Sequence, residues 1–141
     1  MISSRNIEDL HPKIQDRARA HVAACKAEGI DLLITCTYRD GEAQDALFAQ
    51  GRTRPGAKVT NAKAGQSMHN YRLAYDVVPL RNGKPVWNTT GEDWPLWAKV
   101  GALGEREGLE WAGNWHTFRE YPHFQFTGSM PISYFEGGGV L

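Results

Sequence analysis

The segment SMHNYRLAYD, residues 67–76, places His69 and Asp76 seven positions apart, with the methyl-sized Ala74 between them. Imidazole and carboxylate are both ligands that zinc accepts. If residues 73–78 form a strand, Ala74, Asp76 and Val78 share one face, and Leu73, Tyr75 and Val77 share the other. His69 then lies in the turn before the strand, where its ring can fold back over Ala74 toward Asp76. A third ligand is offered by EYPHFQF, residues 120–126, where His123 opens a strand and points the same way as Gln125. Glu120 lies three residues earlier, and Pro122 between them argues against the helical H-E-x-x-H arrangement. Two neutral imidazoles and one carboxylate leave Zn²⁺ a net positive charge and an open fourth position. A carboxylate that is not a ligand can then carry a proton from water to a leaving amine, and Glu120 is the candidate. Taken singly, His69 also reads as a turn residue, Asp76 as a solvated strand carboxylate, and Glu120 and His123 as surface groups. Spacing alone does not show that they converge.

The 141 residues suit one domain of ordinary size. With 41% hydrophobic and 11% aromatic residues there is material for a core without a disulfide framework. Sixteen basic and sixteen acidic residues cancel, and no basic stripe is present, so nucleic acid is not the expected partner. Cys25 and Cys36 lack the paired spacing of a zinc knuckle and read as two buried thiols in a reducing compartment. The first twenty residues contain no apolar h-region, and no stretch approaches the ~20 apolar residues of a membrane span. The expectation is a monomer made in the cytoplasm, without a secretory signal or stable membrane insertion.

The elements that must hold these side chains follow from pattern. Pro12 to about Glu28 reads as a helix with Ile14, Ala18, His21, Val22 and Cys25 on its apolar stripe, His21 as a packing residue. DLLITCT, 31–37, reads as a strand. A short helix follows, capped by Asp40 and stopped at Gly51. Residues 51–66 have no periodicity, and a loop this long in a small domain is functional or mobile. RLAYDVVPL, the dipeptide Asn82-Gly83 and KPVW predict a hairpin. A third helix is expected over 93–107, capped by Thr90 and Asp93, with Trp94, Trp97, Val100 and Leu103 or Gly104 inward. Ala98, Gly101 and Ala102 permit close approach to a sheet. LEWAGNW and HFQF read as late strands. The mixture, with an antiparallel hairpin, is α+β.

Ser67, His69, Ala74 and Asp76 match S-x-H-x-x-G-x-A-x-D at every position but one. This resembles the signature of zinc peptidases with the Hedgehog/D-Ala-D-Ala-peptidase fold. Glu120-x-x-His123 looks like their second motif. Arg39 in TYRDGEAQ, followed five residues later by Gln44, looks like their arginine at the end of the first strand, and NIEDLHP and WAGNW resemble further landmarks. The resemblance covers nearly the whole chain, in order. It implies a small, mostly antiparallel sheet packed with about three helices, a zinc cleft on the sheet face, and one catalytic domain over 1–141 without a separate wall-binding domain. It implies one Zn²⁺ held by His69, Asp76 and His123, with Glu120 as base then acid and Arg39 steadying the oxyanion. Ser67, Gln44, Arg72 and Trp115 would bind substrate or support the site, Ser67 by holding the turn before His69.

Two departures stand out: Arg72 replaces the glycine of the signature, and Asn114 replaces an aspartate. Arg72 reads either as a solvent-facing turn arginine or as a guanidinium at the cleft rim that binds a stem-peptide carboxylate. Within the family the compact form resembles phage or prophage endolysins that cut the L-alanyl-D-glutamate bond of peptidoglycan stem peptides. D-alanyl-D-alanine carboxypeptidases of similar size are the alternative. A zinc-stabilised binding module without turnover is a third reading, against which the unliganded Glu120 argues. An endolysin of this kind would accumulate in a Gram-negative host's cytoplasm and reach the wall once the inner membrane is permeabilised.

Overall fold

The computed structural model describes residues 1–141. Helix α1 spans Pro12–Ala27. Pro12 occupies the first helical position, where an amide hydrogen has no intrahelical partner. The His11 ring caps the end by accepting from the Lys13 amide at 3.1 Å. Ile14, Ala18, His21 and Cys25 recur at helical spacing, and all four are buried. Strand β1 is Asp31–Cys36, and α2 is Gly41–Ala49. Asp40 caps α2 as expected, its Oδ1 accepting from the Ala43 amide at 2.8 Å. Strands β2 (Ala74–Arg81) and β3 (Lys84–Pro85) form the expected hairpin. Asn82 and Gly83 both have positive φ, 54° and 75°, as a type I′ turn requires. Helix α3 is Trp94–Arg106, β4 is Glu110–Trp111, β5 is His123–Gln125 and α4 is Ile132–Glu136.

The five strands make one sheet in the order β1-β2-β5-β4, with β3 also on β2, and every pairing is antiparallel. Alternation along β2 sends Tyr75 and Val77 into the core with Ile14, Val100, Trp111 and Phe124, beneath α1 and α3. The opposite face carries Asp76, and its cross-strand partner is His123. Two glycines let α3 lie this close. A methyl group on Gly101 would stand 2.3 Å from Trp111 ring carbons, and one on Gly104 would stand 2.5 Å from the Phe124 ring. His21 is a packing residue, fully satisfied inside the core. The Val100 carbonyl can only accept, so His21 Nε2–H donates to it at 2.8 Å, and Nδ1 accepts from the Tyr75 hydroxyl at 2.7 Å.

Several expectations need correction. KPVW is strand for two residues only: the Val86 amide still donates to the Pro79 carbonyl at 2.9 Å, but Pro79 has no amide hydrogen to return the bond. Neither Thr90 nor Asp93 caps α3 with its side chain. The Asp93 carboxylate instead accepts from Arg81 at 2.8 Å and Asn88 at 2.9 Å. Trp94 does not turn inward: it is 42% exposed and stacks on Trp111. LEWAGNW is strand only at Glu110–Trp111, and Ala112–Asn114 turn as a 3₁₀ helix. The helices are the three expected ones and the short α4, which no sequence pattern announces. Residues 51–66 hold no long element, as expected, but they are pinned. The Ala64 amide donates to Asp45 at 2.8 Å, and Arg52 Nη1 donates to the carbonyls of Phe48 and Thr60 at 2.7 and 3.0 Å.

Candidate metal centre

His69 sits on a 3₁₀ turn, Met68–Tyr71, that Ser67 caps. The Ser67 hydroxyl accepts from the His69 amide at 3.3 Å, and its own amide donates to Asn70 Oδ1 at 3.2 Å. The turn ends at Arg72 with φ 63°, in the left-handed region. That conformation accounts for the signature's glycine at this position. Arg72 adopts it with its guanidinium 3.8 Å from the Tyr38 ring centroid and Nη1 donating to the Asp9 carbonyl at 2.8 Å. It lines none of the cleft cavities described below, and its contacts are those of the turn arginine, one of the two readings open from the sequence. Its contribution to the site is through the backbone turn.

The turn, β2 and β5 bring the three expected ligands together. Asp76 Oδ1 lies 3.2 Å from His69 Nε2 and 3.1 Å from His123 Nδ1. One donor atom from each residue lies within 4.8 Å of the other two. Each imidazole has its second nitrogen engaged. His69 Nδ1–H donates to the Thr37 carbonyl at 2.8 Å, which leaves Nε2 as the ligand atom. His123 Nε2–H donates to Gln125 Oε1 at 2.8 Å, and Gln125 in turn donates to Glu110 at 3.0 Å. Such partners fix ring orientation and tautomer in zinc sites. Sequence reasoning missed both. The signal available was Gln125, two residues past His123 on the same strand face.

Burial disfavours charge on both members of the His69–Asp76 pair, but their attraction dominates. Burial opposes the His69 imidazolium, yet the Asp76 carboxylate pushes its pKa up to about 10. Burial would likewise raise the Asp76 carboxyl, yet His69 and His123 hold it far below the ordinary carboxylate range. Asp76 pairs with no lysine or arginine. The positive charge that this carboxylate draws onto His69 is what a metal ion would supply in the proton's place, and a nitrogen–nitrogen–oxygen donor set suits zinc.

The ligands open into a cleft of about 530 Å³ lined also by Arg39, Thr60, Ser67, Arg119 and Glu120. Glu120 is half exposed, and its Oε2 lies 3.7 Å from His123 Nδ1, close to the metal position without belonging to the ligand group. Arg39 is placed by its backbone, whose amide donates to the His69 carbonyl at 3.1 Å. Its Nη1 donates to Gln44 Oε1 at 3.1 Å and its Nη2 to Cys36 Sγ at 3.4 Å, while its buried Nε has no partner. Cys36, read from the sequence as a packing thiol, is thus also a support for Arg39. Gln44 is wholly buried, and its amide donates to the Ala62 carbonyl at 2.8 Å, tying Arg39 to the loop that walls the cleft. Trp115 lines the adjoining cavities, its ring 5.7 Å from that of His123. Asn114 donates to Glu105 at 3.0 Å and lies outside the cleft lining.

Comparison with known proteins agrees with this geometry. Residues 60–126 match a family described as D-alanyl-D-alanine carboxypeptidase. The chain is 39% identical to the peptidoglycan L-alanyl-D-glutamate endopeptidase CwlK of Bacillus subtilis over 124 residues, 83% of this chain and 73% of that protein. It is 31% identical to the L-alanyl-D-glutamate peptidase of Listeria phage A118 over 89% of this chain, which spans 41% of the phage protein. The fold is shared with the L-Ala D-Glu endopeptidase ChiX of Serratia marcescens, at TM-score 0.63 and 21% identity over 89% of each chain. It is also shared with a VanB-type D,D-pentapeptidase VanY in complex with Zn(II), at TM-score 0.61 and 14% identity over 91% of this chain and 78% of that one. By its relatedness to CwlK, the chain belongs to the family of peptidoglycan L-alanyl-D-glutamate endopeptidases, metallopeptidases whose match to the described carboxypeptidase family runs here across β2 and β5.

Proposed function

We propose that the protein is a zinc-dependent peptidase that hydrolyses the L-alanyl-D-glutamate bond of peptidoglycan stem peptides. The observation that carries this reading is the His69–Asp76–His123 group beside an unliganded Glu120, in a chain 39% identical to CwlK. His69 Nε2, Asp76 and His123 Nδ1 would hold one Zn²⁺, which in such a site lowers the pKa of water to about 7 and polarises a carbonyl. Glu120 accepts a proton from the attacking water and returns it to the leaving nitrogen of D-glutamate. The Arg39 guanidinium, held by Gln44 and Cys36, donates to the alanyl carbonyl oxygen as negative charge develops there. Loss of a donor of this kind costs about 10²–10³ in rate.

Digestion of purified peptidoglycan followed by mass analysis of the new termini tests the reading. Muropeptides ending in L-alanine, with matching peptides beginning at D-glutamate, are expected. Release of terminal D-alanine alone would instead establish the carboxypeptidase alternative, which the matched family's description favours. Zinc-loaded protein that cuts no muropeptide would refute both.

We propose further that the protein takes part in host lysis, acting on the wall after the inner membrane is permeabilised, a reading favoured by the likeness to a phage peptidase. No helix is long and apolar enough to cross a membrane. Expression in a Gram-negative host, with and without a membrane-permeabilising agent, tests this role: lysis is expected only with the agent.

A further inference from the structure

The substrate carries a charge that neither the metal ligands nor Glu120 can accommodate. In a stem peptide the D-glutamate continues through its side-chain carboxyl, so its α-carboxylate is free. That carboxylate sits on the carbon that bears the scissile nitrogen. The group that protonates this nitrogen is Glu120, itself anionic before it takes up a proton. A cation that binds the α-carboxylate must therefore stand beside Glu120, on the same wall of the cleft.

Arg119 meets this requirement. It lines, together with Glu120, both the metal cleft and the adjoining cavity, each about 530 Å³. Its guanidinium pairs with no carboxylate. Nε donates to the Trp115 carbonyl at 3.0 Å and Nη1 to the Tyr121 hydroxyl at 3.4 Å. Those two contacts hold the planar group in place and leave N–H bonds on Nη1 and Nη2 for a carboxylate fork. The other arginines near the site are engaged elsewhere. Arg39 is held by Gln44 and Cys36, and Arg72 lies on Tyr38 and the Asp9 carbonyl. The wall opposite reinforces the sign: residues 51–66 carry two arginines and two lysines and no acidic residue, and Lys58 lines the adjoining cavity. We propose that Arg119 binds the α-carboxylate of the D-glutamate next to the scissile bond, and so makes the enzyme selective for stem peptides in which that carboxylate is free rather than amidated.

The proposal rests on the L-alanyl-D-glutamate reading, and the test separates the two. Two probes are compared: a disaccharide tripeptide with D-glutamate, and the same compound with D-isoglutamine. The wild-type enzyme is expected to favour the free acid by about 10- to 100-fold in kcat/KM, as a charge-assisted contact allows. Arg119→Gln should abolish that preference by slowing the free acid alone, while zinc content and turnover of the amidated probe stay at wild-type levels. Arg119→Lys, which keeps charge without the fork, should restore only part of the preference. Arg72→Gly should leave it intact. Equal rates of wild type on the two probes, or an equal loss on both in Arg119→Gln, would overturn the proposal while leaving the peptidase reading standing. So would an equal loss of preference in Lys58→Gln, which would point to a diffuse field rather than a fork. Absence of cleavage of either probe by zinc-loaded wild type would overturn both.

Discussion

Asp76 meets two imidazoles and no lysine or arginine, so the charge of its neighbours decides what it can hold. The carbonyl of Thr37 and the amide of Gln125 set which imidazole nitrogen faces it. Removing one of these partners should loosen the metal without removing a ligand. Gln125→Leu is expected to weaken zinc binding by about 10- to 100-fold, measured by competition with a chromophoric chelator. Glu120→Ala should do the opposite, keeping stoichiometric zinc and the thermal melt while losing most turnover. Metal loss in that variant would make Glu120 a ligand. The ligands themselves were legible through the family resemblance, whose short motifs carry each of these side chains, while spacing alone left their convergence open. The Thr37 carbonyl was not, because any residue supplies a carbonyl and only the tertiary fold decides which one arrives. Arg72 shows the same limit from the other side. Its position beside the ligands suggested a contact with substrate, and the left-handed turn aims it at Tyr38 instead.

Helix α3 reaches the sheet through glycine rather than through a hydrophobic ridge. Trp111 and Phe124 occupy the space that side chains at Gly101 and Gly104 would need. Gly101→Ala gains about 1 kcal/mol in helix propensity and meets the Trp111 ring, an overpacking that costs about 1–3 kcal/mol. A net loss is expected, read as a lower urea midpoint. An unchanged midpoint would show that Trp111 moves aside freely. The small residues of α3, the stripe of α1 and the Asn-Gly hairpin were all readable, because local pattern and tertiary demand agree there. β4 and α4 were not. WAGN carries strand-forming tryptophan into a 3₁₀ turn that presents Glu120, whose amide donates to the Ala112 carbonyl at 3.2 Å. ISYFE is too short to display a period.

The core has a pH dependence built in at His21. Burial lowers its pKa below the 6.5 of an unfolded histidine. Above about pH 6.5 neither state is charged at this residue, and it adds no slope. Below that, the unfolded chain takes up a proton that the folded chain refuses, so stability falls as pH drops from 6.5 toward the lowered folded value. Urea midpoints between about pH 7 and about pH 5 should fall more steeply for the wild type than for His21→Gln, which removes the titrating group. Parallel slopes would place the acid sensitivity elsewhere. The strand β5 has a different vulnerability. It meets β2 over only three paired positions, and the last of them is Asp76 opposite His123. A metal ion on those two side chains would be a rivet through the end of a short seam, fastening residues 47 positions apart in the chain. Chelation should therefore raise amide exchange first in β5 and the Glu120 turn, while α1 and α3 keep their protection. Loss spread evenly over the helices would mean that the ion fastens nothing in particular. In the expected case the same ion that serves the chemistry also holds closed the β2–β5 seam on which its own ligands ride, so an enzyme starved of metal loses its site by unfastening before it loses its fold.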